Sequence, residues 1–313
     1  MRLYRHTADL PAEERGAVVA LGNFDGVHRG HQTVIGTAQR LAAEMGVPSA
    51  VVTFEPHPRS VFRPDDPPFR LTPFRVKTRH IEALGVDQLI VCHFDDSFRH
   101  KTAQAFVDEV LIGGLGVRHV VCGYDFLFGH KRSGDPAFLL KAGRAQGFGV
   151  TEVGPVSDEQ GGVYSSTRVR DALTAGRPRE AAFVLGHSWE IEGRVVHGDQ
   201  RGRTIGFPTA NIELGEYLRP AFGVYAVRAG IDRAGETVWL PGVANLGARP
   251  TVDGTVARLE AHLFDVDLDL YDLHLRVQMI DFLRPEMKFP SFDVLKDQIV
   301  KDAVAARAVL AAG

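Results

Sequence analysis

Ala17-Val18-Val19-Ala20-Leu21 runs straight into Gly22-Asn23-Phe24-Asp25-Gly26-Val27-His28-Arg29-Gly30-His31, and this stretch decides the fold. An unbroken apolar run suits a parallel strand covered on both faces. After the glycine-rich turn, Val34, Ile35, Ala38, Leu41, Ala42 and Met45 recur at helical spacing until Gly46 and Pro48 stop the helix. The glycines let the backbone turn tightly and approach a ligand closely, and the helix N-terminus offers free N–H groups and a positive dipole end to an anion. His28 and His31 stand three apart at this point, so both imidazoles can face one phosphate group. A glycine-rich turn with two surface histidines is the plain alternative. Zinc would need a third ligand, which no other histidine is placed by sequence to supply.

The same pattern repeats outward. Ala50 to Phe54, Leu89 to Cys92, Val120 to Cys122 and Val150 to Val153 are further apolar runs separated by helical stretches, which predicts a doubly wound α/β domain. After about Gly186 the runs change character. Trp189 to Val196, Val224 to Ala229, Thr237 to Leu240, Leu259 to Leu263 and Leu273 to Phe282 are strand-like, often alternating, and divided by Gly, Pro and Asp turns, which predicts a small antiparallel barrel. A closing helix capped by Ser291 carries Phe292, Leu295, Ile299, Ala306 and Leu310 as its apolar stripe. The expected domains are 1–186 and 187–313.

Composition excludes several classes. The chain has 313 residues, 44% hydrophobic and 24% charged, which is ordinary for a globular protein of about two domains. A net charge of −3 gives no basic field for nucleic acid. No apolar run approaches the roughly 18 residues of a membrane span, and the first residues lack a secretory apolar core. Cys92 and Cys122 form no CxxC pair and read as strand thiols. The expectation is a soluble, cytoplasmic protein that binds neither nucleic acid nor membrane.

A second glycine-rich loop opens the second domain. Gly198, Gly202 and Gly206 fall within nine residues of the run Gly193 to Asn211, and the spacing is not that of the GxxxxGK[ST] phosphate loop. Thr209 and Asn211 lie two apart, so on a strand their oxygens face the same way and suit Mg²⁺. The alternative is a hairpin with polar turn residues. Alternation in Leu259-Glu260-Ala261-His262-Leu263 puts Glu260 and His262 on one face and the leucines on the other.

These motifs together resemble the bifunctional riboflavin kinase/FMN adenylyltransferases of prokaryotes. The first loop resembles the HxGH motif of nucleotidyltransferases. It is followed in order by Thr53-Phe54-Glu55-Pro56-His57-Pro58-Arg59, by Cys122 to Gly129 and by Tyr164-Ser165-Ser166-Thr167-Arg168-Val169-Arg170. The second loop is similar to the GRxxGFPTAN signature of flavokinases. The resemblance implies an α/β nucleotidyltransferase domain, then a six-stranded kinase barrel with a C-terminal helix. It implies phosphorylation of riboflavin to FMN and adenylylation of FMN to FAD. ATP is co-substrate with Mg²⁺, and no tightly bound organic cofactor is required.

The resemblance also implies roles. His28, His31 and Arg170 would stabilise charge in adenylyl transfer, with Gly22, Asn23, Phe24, Asp25, Gly26, Gly30, Ser165, Ser166 and Thr167 around the phosphates. Because the attacking FMN phosphate is already anionic, that step needs no general base. Phe54, Pro56, His57, Pro58, Phe62, Asp125, Phe128 and Arg284 would contact flavin, although a strand phenylalanine is more often core. In the kinase, Gly198, Gly202, Arg203, Gly206 and Pro208 would cradle ATP, Thr209 and Asn211 would hold Mg²⁺, and Glu260 would take the proton from the riboflavin 5′-hydroxyl. Three positions depart from the family pattern: Tyr124 and Leu127 replace an acidic and a basic residue, and Asp272 stands where glycine is usual. Retention of one activity only, a flavin sensor without turnover, and a transferase for another phosphorylated metabolite are the rival readings. Oligomeric state is open.

Overall fold

A computed structural model describes residues 1–7, 10–196, 207–233, 235–251, 254–266 and 268–312. They form two compact units, residues 1–67 with 72–165 and residues 68–71 with 166–313.

The first unit is built on one sheet of β1 (Arg2–Tyr4), β2 (Val18–Leu21), β3 (Ser49–Glu55), β4 (Gln88–His93), β5 (His119–Gly123) and β6 (Gly149–Val153). The spatial order is β1-β4-β3-β2-β5-β6, and every neighbouring pair is parallel. The helices are α1 (Arg29–Met45), α2 (Pro58–Phe62), α3 (Phe74–Ala83), α4 (Asp96–Arg99), α5 (Ala103–Ala105), which continues as a π-helix over Phe106–Gly114, and α6 (Pro136–Gln146). Strand alternation feeds two cores. Val19 and Leu21 pack with Phe54, Phe106 and Leu111 on one face, while Val18 and Ala20 pack with Val34, Ile35, Ala38 and Ile81 on the other. The apolar strands of the sequence are therefore buried from both sides, as parallel strands require.

This topology fixes where a ligand can sit. From β2 the chain steps through β3 to β4 on one side, then crosses back to place β5 on the other side of β2. The crevice of a doubly wound sheet opens beyond the C-terminal ends of the strands at that reversal. Gly22, Tyr124 and Pro56 follow directly on β2, β5 and β3, so three of the sequence motifs converge there.

The second unit is a sheet of β7 (Glu190–Arg194), β8 (Ala210–Glu213), β9 (Gly223–Arg233), β10 (Glu236–Thr251), β11 (Gly254–Leu263) and β12 (His274–Pro285), in the order β7-β12-β9-β10-β11-β8. All pairs are antiparallel. The Val196 N–H donates to the Asn211 oxygen at 2.9 Å and joins the two end strands, so the sheet is a nearly closed barrel. The terminal helix α9 (Phe292–Ala312) lays Ala303, Ala306, Val309 and Leu310 on Val224, Ala226 and Val243. Phe292 is exposed, so the apolar stripe begins one turn later than the sequence suggests.

Helices α7 (Ser166–Thr174) and α8 (Pro178–Leu185) count with the barrel, and the units divide after Ser165, ahead of the expected boundary at 186. The ties are specific. The Ala221 N–H donates to the Leu173 oxygen at 3.0 Å, Arg179 pairs with Asp281 at 2.8 Å, and a Cβ on Gly176 would meet the Phe282 ring at 3.2 Å. The short run 68–71 joins the same unit: Leu218 N–H donates to the Arg70 oxygen, and the buried Trp189 indole donates to the Leu71 oxygen, both at 2.8 Å.

Candidate functional sites

The loop between β2 and α1 is wound unusually tightly. Phe24, Gly26 and Val27 have φ of 52°, 91° and 43°. For the two non-glycine residues this conformation costs about 1–3 kcal/mol each, so the surroundings must enforce it. They do so from two directions. Phe24 and Val27 are buried to 1% exposure, which anchors their side chains in the core above α1. The Gly26 N–H donates to Thr72 Oγ1 at 2.8 Å, and the Thr72 N–H donates to Asp25 Oδ1 at 3.0 Å. Asp25 is buried, and its carboxylate serves this brace.

His28 then caps α1, its Nδ1 accepting the His31 N–H at 3.3 Å. That bond leaves the neutral ring's proton on Nε2. The His28 and His31 rings stack with centroids 3.6 Å apart, so the two imidazoles form one small plate at the helix N-terminus. Gly30 is required by packing. A Cβ there would meet the Tyr164 carbonyl at 3.0 Å and the His28 ring at 3.1 Å.

Beside the loop lies a cavity of about 480 Å³. Phe54, Phe62, Phe94, Phe98, Phe126 and Phe128 form its aromatic walls, with Asn23, His57, Pro58 and Leu127 between them. Phe54 is largely core, its ring centroid 5.8 Å from that of Phe98, whereas Phe62 is exposed and Phe128 is buried. His57 caps α2 by accepting the Arg59 N–H at 3.1 Å. Pro56, after a cis peptide bond, and the exposed Asp125 stand outside the lining. Of the departures, Leu127 borders the cavity and Tyr124 is exposed.

The cavity also has a cationic rim, to which the quoted motifs contribute Arg59 and which Arg63, Arg99, Lys101 and Arg132 extend. Asp66 is shared by Arg59 at 3.0 Å and Arg63 at 3.9 Å, Asp96 pairs with Arg99 at 2.6 Å, and Glu109 pairs with Lys101. Arg132 has no carboxylate partner among the described residues. Its backbone and that of Lys131 are left-handed, with φ of 58° and 54°.

Ser165 belongs to the first unit, and Ser166, Thr167 and Arg170 open α7 in the second. Arg170 donates through Nε to the Phe69 oxygen at 3.0 Å and lies over the Phe69 ring.

In the barrel, Glu260 on β11 is the direct cross-strand partner of Asn211 on β8 and of Asn245 on β10. The three side chains share one row on one face. Glu260 is half-buried between the buried Leu259 and Ala261, as the alternation predicts. The Asn211 amide nitrogen donates to the Thr209 oxygen at 3.3 Å, which fixes the opposite end of the amide as oxygen. Thr209 and Asn211 thus offer the hard, neutral oxygens that Mg²⁺ takes. Among the described residues no group of three or more His, Cys, Asp or Glu could hold a metal. His262 presents Nδ1 to the Pro208 oxygen at 2.9 Å, so Nδ1 carries its proton. Gly198, Gly202, Arg203 and Gly206 lie outside the described residues.

Other sequence candidates find structural employment. Arg284 binds Asp302 through Nε at 2.9 Å and Nη2 at 2.7 Å, gives Nη1 to the Pro285 oxygen and lies over the Phe289 ring. It clamps α9 to β12. Asp272 keeps φ of 60°, a left-handed turn that glycine favours and Asp tolerates. Burial pushes both Cys92 and Cys122 thiols up to about 12, which makes them poor nucleophiles.

Two family models match the chain: FAD synthetase over residues 10–168 and riboflavin kinase over residues 185–310. A bifunctional riboflavin kinase/FMN adenylyltransferase of Pseudomonas fluorescens is 45% identical over 312 residues, covering 99% of this chain and 98% of its own. One from Escherichia coli (strain K12) is 44% identical over 309 residues, covering 98% and 97%. Among solved structures, one described as a macrolide-efflux protein from Streptococcus pneumoniae superposes with a TM-score of 0.84 at 33% identity, covering 97% of this chain and 98% of that one. Among the described residues of this chain, no helix is long and apolar enough to cross a membrane.

Proposed function

The chain belongs to the family of bifunctional riboflavin kinases/FMN adenylyltransferases, and on that premise we propose how its residues divide the work. The enzyme uses ATP to phosphorylate riboflavin to FMN, and ATP again to adenylylate FMN to FAD with release of pyrophosphate. We assign the transfer to residues 1–186 and the phosphorylation to residues 187–313.

In adenylyl transfer the FMN phosphate attacks the α-phosphorus of ATP, and negative charge builds on the α-phosphate and the leaving pyrophosphate. The stacked His28–His31 plate and the α1 N-terminus supply donors where that charge develops. Gly22 and Gly30 let phosphate approach the backbone, with the Ser165 hydroxyl in the same unit; Ser166, Thr167 and Arg170, which open α7 in the second unit, are assigned to phosphate on the family resemblance alone. The flavin ring lies between the phenylalanines of the adjoining cavity, with Phe62 and Phe128 as its stacking partners. Its phosphate faces the rim, where Arg132 has no carboxylate partner among the described residues.

The kinase problem differs, because the riboflavin hydroxyl is a poor nucleophile while protonated. Glu260 takes that proton. Its row with Asn211 aligns base and metal ligands along adjacent strands. Thr209 and Asn211 would hold Mg²⁺, which when bound neutralises phosphate charge. ATP use and two unpaired buried cysteines fit a cytoplasmic enzyme.

The observation that best supports this reading is the coexistence of the histidine plate beside an aromatic, cation-rimmed cavity in one unit and the Asn211–Glu260 row in the other. The test is a flavin product assay with riboflavin, ATP and Mg²⁺, separating FMN and FAD by chromatography. FAD accumulating through FMN is expected. FMN alone would remove the assignment of the first site.

A further inference from the structure

A lysine stands beneath the strained loop. Lys77, on α3, is fully buried. Its Nζ lies 2.6 Å from Glu55 Oε1, donates to Thr53 Oγ1 at 3.1 Å and donates to the main-chain oxygen of Asn23 at 3.2 Å. Thr53 Oγ1 donates to the same Asn23 oxygen at 3.2 Å. The ammonium thus sits in a polar cage inside a face that Val76 and Ile81 otherwise fill with hydrocarbon. A buried ion pair is a weak way to stabilise a fold, since well-packed apolar residues do as well or better. Its placement is better explained by what it holds.

What it holds is Asn23, the second residue of the loop. Lys77 and Thr53 fix its main-chain oxygen at the strand end, and its side chain borders the aromatic cavity. Asn23 Oδ1 is buried and has no hydrogen-bond partner among the described residues. A buried acceptor left unmet in a cavity wall is an acceptor for a ligand donor.

We propose that Lys77 is a positioning residue for adenylyl transfer. Balanced by Glu55, it clamps Asn23 so that the Asn23 amide oxygen accepts a hydrogen bond from the ring system in the cavity while the following loop keeps its register on the phosphates. The inference rests on the reading that this loop and cavity carry the transfer.

The test uses the full chain and both half-reactions. Lys77→Met combined with Glu55→Gln removes both charges and avoids stranding a buried carboxylate. Cooperative unfolding and unchanged riboflavin phosphorylation are expected. The kcat for FAD formation from supplied FMN should fall by about 10–10²-fold and KM for FMN should rise severalfold, while KM for ATP is little changed, a split that marks a misplaced Asn23. A second variant, Thr53→Val, keeps the ion pair and should lower the same kcat by roughly tenfold. Wild-type kcat in either folded variant, or parallel loss of both activities, overturns the proposal. His31→Ala runs alongside: FAD formation surviving that change would sink the underlying site reading, whatever Lys77 does.

Discussion

The two proposed sites would handle phosphate with opposite kinds of backbone. In the first unit the chain coils a loop through left-handed conformations at Phe24, Gly26 and Val27, and braces it with Thr72, Asp25, Thr53 and Lys77. In the second, Asn211, Glu260 and Asn245 stand in register across three strands. The chemistry explains the contrast. An anionic nucleophile needs donors gathered on a turn at a helix N-terminus, whereas a neutral hydroxyl needs one carboxylate held at a fixed distance. Flat strands supply fixed distance without strain. The teaching is that the loop site should be sensitive to its distant braces, and the barrel site mainly to its own row.

That contrast can be broken or sharpened by substitution. Glu260→Ala should have the largest effect, cutting FMN formation from riboflavin by about 10³–10⁴, the upper range for a lost general base. FAD formation from supplied FMN should continue, and chromatography of each half-reaction reads both. Next comes His31→Ala, expected to cut FAD formation by about 10²–10³, the scale for one charge-stabilising donor, with riboflavin phosphorylation intact.

Arg284→Ala tests structure against binding. It strands the buried Asp302 carboxylate and should lower the stability of the second unit by about 3 kcal/mol, read by denaturant or thermal unfolding. A raised KM for riboflavin with unchanged unfolding would restore a flavin contact. Arg132→Ala is milder. Loss of one charge-assisted contact to phosphate should raise KM for FMN by roughly tenfold while kcat holds. The smallest effect concerns Cys92 and Cys122. Because burial raises both thiols to about 12, neither should react with iodoacetamide in the folded protein at pH 8, and both should react once it is unfolded.

Much of this was legible in the sequence wherever the code is local. A strand, a glycine-rich turn and a helix follow one another in the first motif, and alternation alone put Glu260 opposite its leucine neighbours. The cavity rim was not legible, because Arg59, Arg99 and Arg132 come from three separate connections that meet only in the folded sheet. Lys77 is different. It falls three residues after Phe74 and four before Ile81, on the apolar face of α3, and a charge at that spacing was a signal open to reading. The ends of the units were hidden for another reason. Residues up to 186 are expected in the α/β domain, yet Leu173, Gly176 and Arg179 fit the barrel surface, a match of shapes that periodicity does not encode.

The most direct test of the division of labour is to measure both initial rates, FMN from riboflavin and FAD from supplied FMN, on His31→Ala and Glu260→Ala side by side. The account predicts losses that do not cross: His31→Ala fails only in FAD formation and Glu260→Ala only in FMN formation. A folded variant that loses both rates together would contradict it.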